Sequence, residues 1–247
     1  MDELQFHVLP NGVRLGYRQL PGKDPGVVFL HGLRSNMDGT KADFLRQHCE
    51  RSGRAYLRFD MSGHGVSGGE FSDFTMSDWF QEAQGMLADL ANGPQVLVGS
   101  SMGAWLALLI AERFPEHVAG LVGIASAPDF TVVMEAEFTQ RQLSELESAG
   151  YIDLPTEYDD VPTRLTREFF LDAQSLLVAN KRIPVSFPVR LLHGTDDEDV
   201  DLGIALDLLG NLDGPDARLT LVKGADHRMS DGSCLELLSE AIDSIEC

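Results

Sequence analysis

The chain has 247 residues, 43% of them hydrophobic and 23% charged, which fits one large domain, or one domain with an insertion, and leaves ample length for a buried core. Its formal charge of −20 repels nucleic acid and anionic membrane alike, so both are excluded as expected partners and the acidity reads as a solubilising surface. Residues 1–5 are acidic and lack the apolar run of a signal or transit peptide, and nowhere is there an apolar stretch long enough to span a bilayer.

In chain order, Phe6-His7-Val8-Leu9 and Val13-Arg14-Leu15-Gly16-Tyr17 flank Asn11-Gly12 and predict a β-hairpin whose tight turn takes its positive φ angles from Asn-Gly. Val27-Val28-Phe29-Leu30 is a continuous apolar run, the mark of a parallel strand buried on both faces. A helical stretch at residues 39–51 leads to Tyr56-Leu57-Arg58-Phe59, a further helix to Val96-Leu97-Val98, and another to Leu121-Val122-Gly123-Ile124. This alternation predicts an α/β fold with a mostly parallel, doubly wound sheet. Between residues 125 and 187 it lapses into two amphipathic helical stretches, 131–149 and 163–180, with a Pro- and Asp-rich joint and no strand. The expectation is a core of residues 1–125 and 188–247 carrying a helical cap insertion at 126–187. The pattern resumes with Val189-Arg190-Leu191-Leu192, a helix at 200–209, Arg218-Leu219-Thr220-Leu221-Val222 and a last helix at 230–245.

The chemistry centres on Gly99-Ser100-Ser101-Met102-Gly103, which follows a strand and opens an Ala/Leu-rich helix. A serine on such a strained strand–turn–helix is a nucleophile elbow, and the two glycines are small because backbone passes close by. A serine hydroxyl needs a base to take its proton, and the base needs a carboxylate to hold its tautomer. In this fold the order is Ser, acid, His. Of the seven histidines only His227, in the loop after the strand at 219–222, has both the serine and an acidic cluster before it. The acid falls within Asp196, Asp197, Glu198, Asp199 and Asp201, and spacing from the strand end favours Asp196 or Asp197 without choosing between them. The N–H groups of Met102 and Leu33 are the expected oxyanion donors, with Gly32 letting its loop turn close to the site.

Other chemistries lack support. Gly63-His64-Gly65-Val66-Ser67-Gly68 has the spacing of a dinucleotide fingerprint but runs on into loop rather than opening a helix, so His64 reads as a structural residue. Phosphate-loop, His-Glu-x-x-His and basic-aromatic patterns are absent, and Cys49, Cys234 and Cys247 are odd in number and far apart, as for reduced thiols rather than disulfides or zinc. No cofactor and no metal is expected. A non-catalytic ligand-binding protein of this fold would predict a broken triad.

Several stretches resemble one branch of the α/β-hydrolase superfamily, that of the abhydrolase domain-containing protein 10 family. They are Ser35-Asn36-Met37-Asp38-Gly39-Thr40-Lys41-Ala42, Arg58-Phe59-Asp60-Met61-Ser62-Gly63, residues 92–106 around the elbow, Ile183-Pro184-Val185, Arg190-Leu191-Leu192-His193-Gly194 and Asp226-His227-Arg228-Met229. The resemblance implies Ser101 as nucleophile, His227 as base and Asp197 as acid. It also implies hydrolysis of acyl groups through an acyl-enzyme, with S-palmitoylated protein thioesters and acyl glucuronides as substrates. Ala104 stands where a second glycine is usual, and Glu198-Asp199-Val200-Asp201 replaces a Pro-containing turn, both expected to reshape the pocket. Without the targeting extension of the family's animal members, the expectation is a cytoplasmic serine hydrolase of bacterial type. Its partner is a small-molecule acyl ester or thioester, or an S-acylated protein, with a general short-chain carboxylesterase as the alternative.

Overall fold

The computed structural model describes residues 2–155 and 162–245, so Cys247 and residues 156–161 of the Pro- and Asp-rich joint lie outside the described residues. The strands are β1 (Gln5–Val8), β2 (Arg14–Leu20), β3 (Lys23–Leu30), β4 (Arg54–Phe59), β5 (Gln95–Ser100), β6 (Val118–Ile124), β7 (Tyr151–Leu154), β8 (Thr163–Thr166), β9 (Ile183–Pro184), β10 (Val189–Gly194), β11 (Leu212–Asp213) and β12 (Ala217–Val222). The helices are α1 (Thr40–Ser52), α2 (Met76–Leu90), α3 (Met102–Arg113), α4 (Phe130–Glu137), α5 (Gln140–Ala149), α6 (Arg167–Ala173), α7 (Leu202–Asn211) and α8 (Gly232–Asp243).

Eight strands form one sheet in the order β1-β2-β4-β3-β5-β6-β10-β12. From β4 to β12 every neighbouring pair is parallel, and the antiparallel pairs β1·β2 and β2·β4 close one edge. Alternate residues of the central strands enter two cores, which is why their sequence is apolar throughout. Val28, Leu30 and Leu97 pack with Trp79 and Trp105 of α2 and α3, whereas Val27, Phe29 and Val96 pack with Leu45 of α1 and Leu238 of α8. Helices thus cover both faces, as a doubly wound sheet requires. Each large aliphatic side chain fully buried this way contributes about 1.5–3 kcal/mol.

Two local expectations are corrected. The hairpin forms, but Gly12 N–H bonds Leu9 O and Leu9 N–H bonds Val13 O, so Pro10 and Asn11 make the turn and only Gly12 takes a positive φ, +87°. Proline's fixed φ favours that arrangement over a two-residue Asn-Gly turn. The segment expected to be a strandless helical insertion contains strands, since β7 and β8 pair antiparallel, Ile152 opposite Leu165 and Asp153 opposite Arg164. In β8 Thr163 and Leu165 are buried while Arg164 faces outward to Asp153, a period of two that four residues express too briefly to stand out from the helix after it. Thr166 then caps α6 by accepting from Phe169 N–H, and Thr139 and Gln142 form a capping box that starts α5 and splits the predicted 131–149 helix.

The segment between β6 and β10 is fastened to the sheet's helices at named points. Asp129 accepts from Val178 N–H and Ala179 N–H, and Trp105 Nε1–H donates to Leu176 O at 3.1 Å. Phe130 stands edge-on to Trp105, and Phe169 packs against Trp79, Phe130 and Phe170.

Candidate active site

Ser101 sits between β5 and α3 with φ 54° and ψ −118°, a conformation side chains rarely adopt. The surroundings enforce it. A Cβ on Gly99 would lie 2.4 Å from Gly103 O and 2.5 Å from Ala104 Cα, and one on Gly103 would lie 2.0 Å from Leu30 O. Only glycine at both positions lets helix and strand approach closely enough to make the turn, and Ser101 is lifted to the start of α3, where the first N–H groups of a helix have no partner a turn earlier.

His227, in the loop after β12, places Nε2 3.1 Å from Ser101 Oγ and Nδ1 2.9 Å from Asp197 Oδ2. An ionised carboxylate only accepts, so Nδ1 carries the proton and the Nε2 lone pair faces the serine hydroxyl. Asp197, in the loop after β10, has its side chain 1% exposed, and its Oδ1 also accepts from Asp199 N–H and Val200 N–H. Burial pushes this carboxyl up, but the hydrogen bond and charge of His227 with the Val200 N–H outweigh it and hold the group below the ordinary aspartate range. Asp196 turns to solvent and accepts from Thr195 Oγ1–H, so of the two candidates left by spacing the geometry brings Asp197 to His227. Asp199 also offers an oxygen near Asp197 and His227, a grouping of metal-ligand type, yet both Asp197 oxygens are already committed to N–H donors.

Behind the serine, residues 31–34 cross from β3. His31 Nε2 accepts from Met61 N–H, so its Nδ1–H donates to Gly32 O at 2.8 Å, and Ser35 N–H bonds the same carbonyl. The absent side chain of Gly32 would sit 3.4 Å from Ser101 Cβ. His64 accepts from Arg34 N–H through Nε2 and donates from Nδ1 to Ser62 O, and burial drives its pKa down to about 3. It is a neutral bracket for the Arg34 backbone. The glycines around it serve a turn closed by Gly63 N–H to Gly68 O, with no helix opening there.

Ser101, Met102, Leu33 and His227 line a cavity of about 610 Å³. Phe130, Val133, Met134, Leu154 and Leu165, between β6 and β10, supply its apolar wall, and Lys41, Arg228, Glu198 and Asp199 its polar side.

A family described by its alpha/beta hydrolase fold matches residues 25–149. Mouse palmitoyl-protein thioesterase ABHD10, a mitochondrial protein by name, is 39% identical over 238 residues, 96% of this chain and 79% of the relative. The chain belongs to the α/β-hydrolase family. Among solved structures, mouse alpha/beta hydrolase domain-containing protein 10 superposes on this hydrolase with a TM-score of 0.90 at 37% identity, covering 98% of this chain and 97% of that one. A hydrolase structure from Agrobacterium vitis S4 gives 0.91 at 34% identity over 99% of both. Both likenesses run the length of the hydrolase, the segment between β6 and β10 included.

Sequence reasoning did not find every part of this hydrolase's cavity. Leu154 and Leu165 escaped it because they belong to the β7–β8 ribbon, and the Thr163–Leu165 alternation was the available signal. The sequence marks His64 as structural without its partner and does not mark His31, since ring-to-backbone bonds across 30 residues leave no local pattern.

Proposed function

We propose that this α/β hydrolase is a serine hydrolase that cleaves carboxylic esters or thioesters through an acyl-enzyme. The observation that carries the reading is the hydrogen-bonded line from Ser101 Oγ to His227 Nε2 and from His227 Nδ1 to Asp197. Ser101 Oγ attacks the acyl carbonyl as its proton passes to His227 Nε2, Asp197 steadies the imidazolium, and the N–H groups of Met102 and Leu33 hold the oxyanion. For Leu33 the support comes from the peptide before it. The Gly32 carbonyl is bound by Ser35 N–H and His31 Nδ1–H, and in a trans peptide the following N–H points the opposite way. Collapse of the tetrahedral adduct breaks the bond to sulfur or oxygen, and His227 returns its proton to the leaving group. Water, deprotonated by His227, then releases the acid and regenerates the serine.

Residues 126–187 act in this reading as a cap over a core of 1–125 and 188–247, with their apolar wall receiving the acyl chain. The relatives' names as palmitoyl-protein thioesterases make long acyl thioesters, free or on protein cysteine, the first substrates to try. No helix among the described residues is long and apolar enough to cross a membrane. The free, buried thiols of Cys49 and Cys234 suit a reducing compartment, which we take to be the cytoplasm.

The test is a panel of short and long acyl thioesters, matched oxygen esters and an acyl glucuronide, run beside Ser101→Ala. A folded Ser101→Ala variant is expected to lose turnover by about 10⁴-fold or more. Preference for long thioesters supports the specific reading, preference for short oxygen esters reduces it to a general carboxylesterase, and turnover that survives in Ser101→Ala overturns it.

A further inference from the structure

We infer that Lys41 is a positioning residue for His227, an arm from the start of α1 that holds the base's loop at the distance the serine needs. The inference rests on the proposed role of His227 as base. Lys41 Nζ–H donates to Arg228 O at 2.5 Å, the carbonyl next in sequence to the histidine, and reaches Ser230 Oγ at 3.4 Å. Ser230 Oγ–H donates to the same carbonyl at 2.9 Å. The His227 loop is restrained differently on its two sides. Met229 N–H closes it onto Asp226 O, Met229 takes a φ of 45°, and Asp226 Oδ1 accepts from Met229 N–H as well. These bonds are internal to the loop, whereas before His227 the Gly224 N–H donates to Thr195 Oγ1 and Ala225 O accepts from Asp196 N–H, tying that side to the loop after β10. After His227, Lys41 reaches the loop across 187 residues of sequence, from a helix whose Ala42 and Leu45 are locked in the core.

A surface lysine pays rotamer entropy for such a bond and gains little. Lys41 is different because it is partly withdrawn from water and lines the same cavity as Ser101 and His227. Burial lowers its pKa to about 8, with Asp226 and Cys234 opposing that fall and Arg228 adding to it. A lysine kept in a partly desolvated place, with its ammonium on a loop carbonyl, is placed for geometry rather than for solubility. Losing the arm lets Nε2 drift from Oγ, and small misplacements of a base cost rate far more than binding.

Lys41→Met keeps the aliphatic stem and removes the donor, while Lys41→Arg keeps a charged donor. Three measurements decide the matter: the rate at which a fluorophosphonate labels Ser101, kcat and KM on p-nitrophenyl butyrate, and the melting temperature. The expected result for Lys41→Met is labelling and kcat both about tenfold slower, with KM within twofold and melting within a few degrees of the native protein. Lys41→Arg is expected to recover to within threefold. Native labelling and kcat in Lys41→Met, or equal slowing in the Met and Arg variants, overturns the assignment. Lys41→Gln supplies the same comparison if the Met variant does not fold. Ser101→Ala keeps the two levels apart, since label uptake or turnover there condemns the serine mechanism itself, and its loss beside an unaffected Lys41→Met condemns only the lysine.

Discussion

Replacing Asp197 with Asn tests the orientation of the base more sharply than deleting it. The asparagine is nearly isosteric, and its single carbonyl oxygen is claimed by Asp199 N–H and Val200 N–H, which both bond the present Oδ1 at 3.0 and 2.9 Å. The amide nitrogen then takes the Oδ2 position, 2.9 Å from His227 Nδ1, and offers a hydrogen where the carboxylate offered a lone pair. His227 answers by moving its proton from Nδ1 to Nε2. The atom 3.1 Å from Ser101 Oγ becomes a donor and cannot take the serine's proton. The scale of loss for a wrongly tautomerised triad is about 10⁴ in kcat, equivalent to roughly 5.5 kcal/mol of transition-state stabilisation. The fold should tolerate the change, because both backbone bonds survive and no cavity forms. Stopped-flow release of p-nitrophenol from an acyl ester gives kcat, and thermal melting reports the fold. A folded Asp197→Asn protein within tenfold of native kcat would refute the account of His227 as a base held by Asp197.

Gly99→Ala is expected to destabilise the protein by at least about 2 kcal/mol in urea unfolding, because the new methyl meets backbone of Gly103 and Ala104 on both sides. Gly232→Ala, where a methyl meets nothing within 4 Å, is the control, and equal stability of the two would refute the packing argument. Asp231 caps α8 and its pKa is lowered to about 2 by the Ser233 hydroxyl and the Cys234 N–H. A carboxyl depressed in the folded state stabilises it above the unfolded value near 4, and that contribution disappears as pH falls toward 2. The melting-temperature gap between native protein and Asp231→Ala should therefore be full at pH 6 and close by pH 2, and a gap constant over that range would count against it.

Much of this was legible because the fold places its chemistry at strand ends. Ser101 announced itself through two glycines that close packing demands, and His227 through its position after the last strand. Asp197 was another matter from spacing alone. Asp196 and Asp197 are neighbours, and consecutive side chains leave the backbone in different directions, so which one turns inward depends on tertiary bonds such as Asp196 N–H to Ala225 O. The β7–β8 ribbon hid for a related reason. Its strands have four residues each and find one another across a joint, so pairing rather than local pattern makes them strands.

The sheet order has a consequence for how the protein fails. Ser101 rises from β5, with β3 on one side and β6 on the other, whereas Asp197 and His227 hang from β10 and β12, the last two strands. β12 has a neighbour on one side only, and none of its residues is fully buried. Free energies of local opening run from near zero at such margins up to the global value at the centre. Ser101, the proposed nucleophile, and Asp197, after a strand paired on both sides and buried throughout, therefore share the durability of the core, while His227, the proposed base, shares that of the border. Thermal inactivation should precede the melting of the bulk, and amide exchange in β12, rather than calorimetry of the whole, is the clock that tracks loss of activity.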